Sequence, residues 1–251
     1  MEFHQLYERW FLGKAGYEFN CTRIFREHGN RISFATVPQR EHEVDLELLG
    51  DVVFQNIPAH HIWPLYTKDL TIFSNPDPAP DSVYIKRPRL DAYDSTAMYA
   101  ELMLQEAHVC QILKQDPHEN ILRYLGCLVD NGRIVGLAFE KCDLTLRQLV
   151  EGQHDSVDSR SYRKAIAAEA IKATIAGLEH LRKQDFVHGD LTVDNLMSKK
   201  GIWKIIDFDS CRKRGDPLSI KKGAVANGVE TAEFCSDDLG LESIRQFLEV
   251  E

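Results

Sequence analysis

The sequence predicts an α+β fold in two lobes, strand-rich before residue 140 and helical after it. Three observations carry this. Short apolar runs separated by turn residues fill the first part of the chain. One long amphipathic pattern dominates the second. The composition, 43% hydrophobic and 27% charged over 251 residues, belongs to a globular chain that buries a core without staples. The expected domains are an N-lobe with an N-terminal extension over 1–140 and a shortened helical C-lobe over 141–251. They would join near Glu140-Lys141-Cys142-Asp143.

Taken in order, residues 17–26 and 31–37 read as a hairpin around Glu27-His28-Gly29-Asn30. Residues 43–82 lack a clear period, and Pro76, Pro78 and Pro80 mark a loop. Val83 to Lys86 is a strand. Asp94 or Ser95 can cap a helix that runs to about Lys114. Ile121–Leu128 and Arg133–Glu140 are strands joined by Asp130-Asn131-Gly132, a strong hairpin signal. Thr145–Glu151 suits a short helix. Ser161–Gln184 is a long one, with Ile166, Ala170, Ile171, Thr174, Leu178 and Leu181 on one face. Short strands at 185–187, 193–197 and 202–206 follow, and Ser236 opens a last helix with Ile244 and Phe247.

Charge and cysteine usage exclude several classes. With 30 basic against 39 acidic residues the net charge is −9, so broad nucleic-acid or anionic-membrane binding is not indicated. The basic runs at Lys86–Arg89 and Arg212–Arg214 are local. The six cysteines form no Cys-x-x-Cys pair and no zinc spacing. The first residues lack the apolar run of a signal peptide, and no stretch approaches the ~20 apolar residues of a membrane span. The expectation is a cytosolic or nuclear protein with free thiols and no membrane partner.

The chemistry concentrates in His188-Gly189-Asp190-Leu191-Thr192-Val193-Asp194-Asn195 and Ile205-Ile206-Asp207-Phe208-Asp209. Phosphoryl transfer needs a carboxylate beside the incoming hydroxyl, and hard oxygen ligands for Mg²⁺. These segments resemble the catalytic loop H-R-D-x-x-x-x-N and the D-F-G segment of protein kinases. The resemblance implies a bilobal protein-kinase-like fold that uses ATP and Mg²⁺. Asp190 would be the base, and Asn195 and Asp207 the metal ligands. A polar loop between helix and strand would account for any one of these residues, but not for all three at the family's spacing.

Lys86 ends an apolar strand ahead of a helix whose stripe is Met98, Leu102, Val109 and Leu113. Glu106 falls on that stripe. A carboxylate aimed into a core demands a partner, and Lys86 is the obvious one. The pair resembles the kinase ion pair that holds the ATP phosphates; two independent surface charges are the plainer alternative. Pro117–Leu122 resembles the kinase turn into the fourth strand, and Leu137–Cys142 the fifth strand and hinge. Phe139 would then be the gatekeeper, with the backbone of Glu140 to Cys142 facing adenine; core packing also accounts for Phe139. Near the end, Asp238, in preference to Asp237, is expected to grip the catalytic-loop backbone; a helix N-cap is the bland reading. The resemblance covers residues 83–248, and the wording YIKRP, HGDLT and IIDFDSC is similar to kinase-like proteins of filamentous fungi.

Four departures from the family's pattern stand out. No G-x-G-x-x-G precedes Lys86, so residues 52–73 would have to take its place; His60, His61 or Lys68 could contact phosphate there, while ordinary surface or packing roles are the plainer reading of each. Gly189 replaces the arginine of H-R-D and Thr192 a common lysine; His-Gly-Asp also resembles small-molecule kinases. Asp209 replaces the glycine of D-F-G, as an added metal ligand or a change of loop shape. No A-P-E segment occurs before Glu251. The function expected is an ATP/Mg-dependent phosphotransferase, an atypical kinase acting on a hydroxyl of a small molecule or protein. The alternatives are a pseudokinase scaffold and a kinase-fold enzyme turned to nucleotidyl or aminoacyl transfer.

Overall fold

A computed structural model describes residues 3–13, 16–29, 31–74, 81–152, 157–218 and 230–250. The expected proline loop at 76–80 and Asn30 of the first turn lie outside these residues. The described chain forms two compact units, one of residues 1–65 with 87–101, the other of 66–86 with 102–251.

The first unit is a four-stranded antiparallel sheet: β1 (Phe3–Gly13), β2 (Gly16–His28), β3 (Arg31–Val37) and β4 (Gln55–Ile57), paired in that order. The expected hairpin of 17–26 with 31–37 is β2 and β3. β1 adds a strand along the other edge of β2. A single helical turn, α1 (Ala59–Ile62), follows β4. Alternation along β2 buries Ile24, and Phe25 joins it through its ring partners. Phe25 stacks on Phe34, and both meet the ring of Tyr93 edge-on, at 6.5 and 5.7 Å. Ile32, Val37, Ile57, Trp63 and Leu90 are also buried in this unit.

The second unit carries a three-stranded antiparallel sheet of β5 (Val83–Lys86), β7 (Arg133–Glu140) and β6 (Tyr124–Asp130), with β7 central. Its helix α2 (Met98–Gln115) starts in the first unit and continues here from Leu102. Then come β8 (Leu144–Thr145), α3 (Leu146–Glu151), α4 (Val157–Lys183), β9 (Phe186–Val187), β10 (Leu196–Lys199), β11 (Ile202–Ile205), β12 (Arg212–Lys213) and α5 (Phe234–Val250). α3 begins with a capping box, in which Thr145 and Gln148 satisfy each other's backbone amides. One core runs from Met103 and Val109 of α2, through Leu137 and Phe139 of β7, to Leu178, Leu181, Ile205, Phe208 and Ile244. Residues 193–195 form a single helical turn rather than the start of a strand, which leaves Asn195 at the entry to β10.

Residues 66–73 do not stand where a glycine-rich loop would cover Lys86. Ile72 pairs in parallel with Cys127 on the outer edge of β6, the edge of the sheet opposite β5. Two 2.8 Å bonds, Phe73 N to Cys127 O and Cys127 N to Thr71 O, hold it there. Gly126 permits this approach: its φ is +152°, and a Cβ would lie 2.7 Å from Phe73 N. Lys68 travels with this segment. His60 and His61 belong to the first unit, where His61 Nδ1 lies 2.7 Å from the Tyr93 hydroxyl. The expectation that the stretch takes the place of the glycine loop is corrected for residues 71–73, which line the far edge of β6 instead.

Candidate active site

The strand β5 ends in Lys86, two residues before Pro88, which has no N–H to give to a ladder. Its pairing with Leu137 sets the lysine at the head of β5. Glu106 lies mid-helix on the buried side of α2, 2% exposed. Its two oxygens accept from Lys86 Nζ at 2.8 and 2.7 Å. The expected pair is therefore formed. Glu106 Oε1 also accepts the backbone N–H of Phe208 at 3.2 Å, which ties α2 to the segment after β11.

Asp207 meets the same ammonium, hydrogen-bonded through Oδ1. Its φ of +66° is a left-handed conformation that costs a non-glycine residue ~1–2 kcal/mol. The following side chain holds it there: Phe208 is fully buried, with its ring edge-on to His188 at 5.5 Å. Asp209 Oδ2 lies 3.7 Å from Lys86 Nζ. Burial opposes the charge on Lys86, but Glu106, Asp207 and Asp209 outweigh it and raise its pKa far above the usual value. Burial pushes the Glu106 carboxyl up to about 7, with Asp207 and Asp209 acting in the same sense and Lys86 against them.

The catalytic-loop candidates are held from beneath. His188 is buried, its Nε2 2.9 Å from the Ile206 carbonyl, and Asp190 N donates to its Nδ1 at 3.4 Å. Those two partners assign the ring proton to Nε2. Asn195 Nδ2 donates to the Asp190 carbonyl at 2.7 Å and to Asp190 Oδ2 at 3.3 Å. The loop is gripped by Asp237, not Asp238: its carboxylate accepts His188 N and Gly189 N, each at 3.0 Å. Asp237 is fully buried, whereas Asp238 is exposed and bound to Arg182 at 2.5 Å. The phase of α5 decides this. Asp237, Leu241 and Ile244 share one stripe, a signal present in the sequence. Gly189 has a structural cause too. Its φ is +78°, and a Cβ would sit 2.9 Å from the Ser210 carbonyl, so the family's arginine has no place there.

Two features had no counterpart in the motif reading. Arg147 of α3 forks the Asp194 carboxylate, Nε to Oδ1 at 2.8 Å and Nη2 to Oδ2 at 3.0 Å, which braces the loop between Asp190 and Asn195. The Glu140 side chain binds Lys199 of β10 at 2.6 Å and Lys204 of β11 at 3.1 Å. Burial opposes its charge, but these lysines and the backbone N–H of Arg123 win, and its pKa is lowered. Phe139 is buried behind Glu140 with its ring 5.6 Å from that of Tyr124. The amides of Glu140 and Lys141 are taken by the carbonyls of Arg123 and Ser82. Cys142 N makes no backbone hydrogen bond among the described residues.

Among the described residues no three His, Cys, Asp or Glu side chains are grouped as a metal site. Mg²⁺ needs less, because one or two carboxylates suffice where phosphate oxygens and water complete the octahedron. Asp207 and the amide oxygen of Asn195, turned away from Asp190 by the Nδ2 bonds, fit that donor chemistry.

Parts of the chain are similar to known proteins. The chain is 33% identical over 111 residues to cyclin-dependent kinase 11.1 of Caenorhabditis elegans, covering 43% of this chain and 15% of that one. It is 30% identical over 142 residues to serine/threonine-protein kinase PSK1 of Saccharomyces cerevisiae, covering 53% and 9%. It is 27% identical over 130 residues to cyclin-dependent kinase 11 of Dictyostelium discoideum, covering 51% and 35%. Each match thus spans a minor part of the relative. The family model for the protein kinase domain matches residues 80–239, the stretch that holds Lys86, Glu106, Asp190, Asn195, Asp207 and Asp237, and the chain belongs to that family.

Proposed function

We propose that the chain is a phosphotransferase that moves the terminal phosphoryl group of ATP to a hydroxyl, with Mg²⁺ as the cation. The observation that carries this reading is the convergence of Glu106, Asp207 and Asp209 on the Lys86 ammonium. A half-buried lysine held by carboxylates is an oriented phosphate clamp, and Glu106 fixes it. Lys86 would contact the phosphates, and Asp190 would orient the acceptor hydroxyl and take its proton. The backbone of Glu140 and Cys142 would meet adenine, with Phe139 closing the space behind. Asn195 and Asp207 would hold Mg²⁺, which when bound neutralises phosphate charge.

The name of one relative, serine/threonine-protein kinase PSK1, favours a serine or threonine hydroxyl of a protein as acceptor. Six free thiols, three of them buried, fit a reducing compartment, and no described helix is long and apolar enough to cross a membrane.

The test is transfer from γ-labelled ATP to a panel of peptide and small-molecule hydroxyls. Asp190→Ala should lower the rate by about 10²–10⁴-fold while the thermal midpoint stays put. Undiminished transfer by the variant would refute the role of Asp190. A folded, inactive wild type that still captures partners would favour a scaffold, and labelling through the α-phosphate would reveal nucleotidyl transfer.

A further inference from the structure

We propose that Asp209 makes nucleotide binding at this site depend on a divalent cation. Its carboxylate opposes the approach of metal-free phosphates to Lys86 and gives the cation a second carboxylate beside Asp207. This rests on the reading of the site as a nucleotide site.

The argument is one of charge at short range. One ammonium, Lys86 Nζ, faces three carboxylates: Glu106 at 2.7 Å, Asp207 in direct hydrogen bond, and Asp209 Oδ2 at 3.7 Å. Those side chains are 3%, 20% and 13% exposed, so water screens the charges weakly. Ser210 Oγ donates to Asp209 Oδ1 at 3.2 Å, so the other oxygen is the one nearest the ammonium. Arg212 Nη1 donates to the Asp209 carbonyl at 3.2 Å, which anchors the backbone on which this carboxylate stands. A triphosphate arriving without metal competes for Lys86 with three negative groups. One arriving with a divalent cation turns two of those groups into ligands, since carboxylates are hard oxygen donors suited to Mg²⁺. A glycine here would contribute neither effect.

The experiment is calorimetric titration of the full chain with ATP, in EDTA and in excess Mg²⁺, for wild type, Asp209→Asn and Asp209→Gly. Both variants remove the charge; the first keeps the shape, and the second covers the case in which asparagine perturbs the fold. Thermal melts confirm folding. The expected result is metal-free binding at least about tenfold tighter in the variants, with the gain from Mg²⁺ shrinking by a similar factor. Titration with Mn²⁺ alone should be weakened by either substitution. Variants that keep the wild-type ratio of Mg²⁺-bound to metal-free affinity would overturn the proposal while leaving the nucleotide site intact. A wild type that binds no ATP in either buffer would sink the nucleotide reading. It would overturn the proposal as well, because Mg²⁺ would then confer no binding on the wild type.

Discussion

The two units use buried polarity differently. In the first, Thr22 is the one polar side chain buried among the described residues; Ile24, Phe25, Ile32, Val37 and Ile57 fill its interior. Its ion pairs, such as Arg40 with Glu8, lie at the surface. In the second, Glu106, His180, His188, Lys204 and Asp237 are buried with their partners. Burying charge is costly and persists where geometry requires it. The contrast teaches where chemistry is held: the first unit is organised by apolar packing, the second around polar and charged groups fixed in place.

Carboxylates exchanged in the two units sharpen this contrast. Glu106→Ala should cost about 3–5 kcal/mol in chemical denaturation, because it leaves Lys86 and Phe208 N without their buried partner. Glu8→Ala should cost a small fraction of that, since its partner Arg40 is 40% exposed and the pair lies at the edge of its unit. Equal effects would erase the distinction.

A smaller contrast lies within α5. Asp237→Ala should cost about 2–4 kcal/mol, as two backbone N–H groups of the catalytic loop lose their acceptor, and hydrogen exchange at His188 and Gly189 should rise. Asp238→Ala, which removes an exposed pair with Arg182, should shift stability by less than about 0.5 kcal/mol. A reversed order would reinstate Asp238 as the loop anchor.

Much of the second unit was legible because its signals are local or periodic. The stripe from Ile166 to Leu181 marks α4, Asp130-Asn131-Gly132 joins β6 to β7, and Glu106 betrays itself as a carboxylate among apolar neighbours. What the reading missed depends on pairing between distant segments. β1 has polar residues at His4, Gln5, Glu8 and Arg9, and becomes a strand through its long register with β2. Residues 71–73 lie along β6 because Gly126 lets their backbone approach, a contact no local pattern announces. The preference for Asp238 failed for a different reason, since the stripe through Leu241 and Ile244 already pointed to Asp237. Asp209 was visible as a departure, but its nearness to Lys86 belongs to the turn at Asp207, whose φ the sequence does not display.

The most direct test of the central claim is calorimetric titration of the chain with ATP, with and without Mg²⁺, beside Asp207→Asn. The account predicts Mg²⁺-dependent binding that the variant loses or weakens at least about tenfold, because the proposed reading makes the Asp207 carboxylate a ligand of the cation. Absence of binding at millimolar ATP, or equal Mg²⁺-dependent binding by wild type and variant, would contradict it.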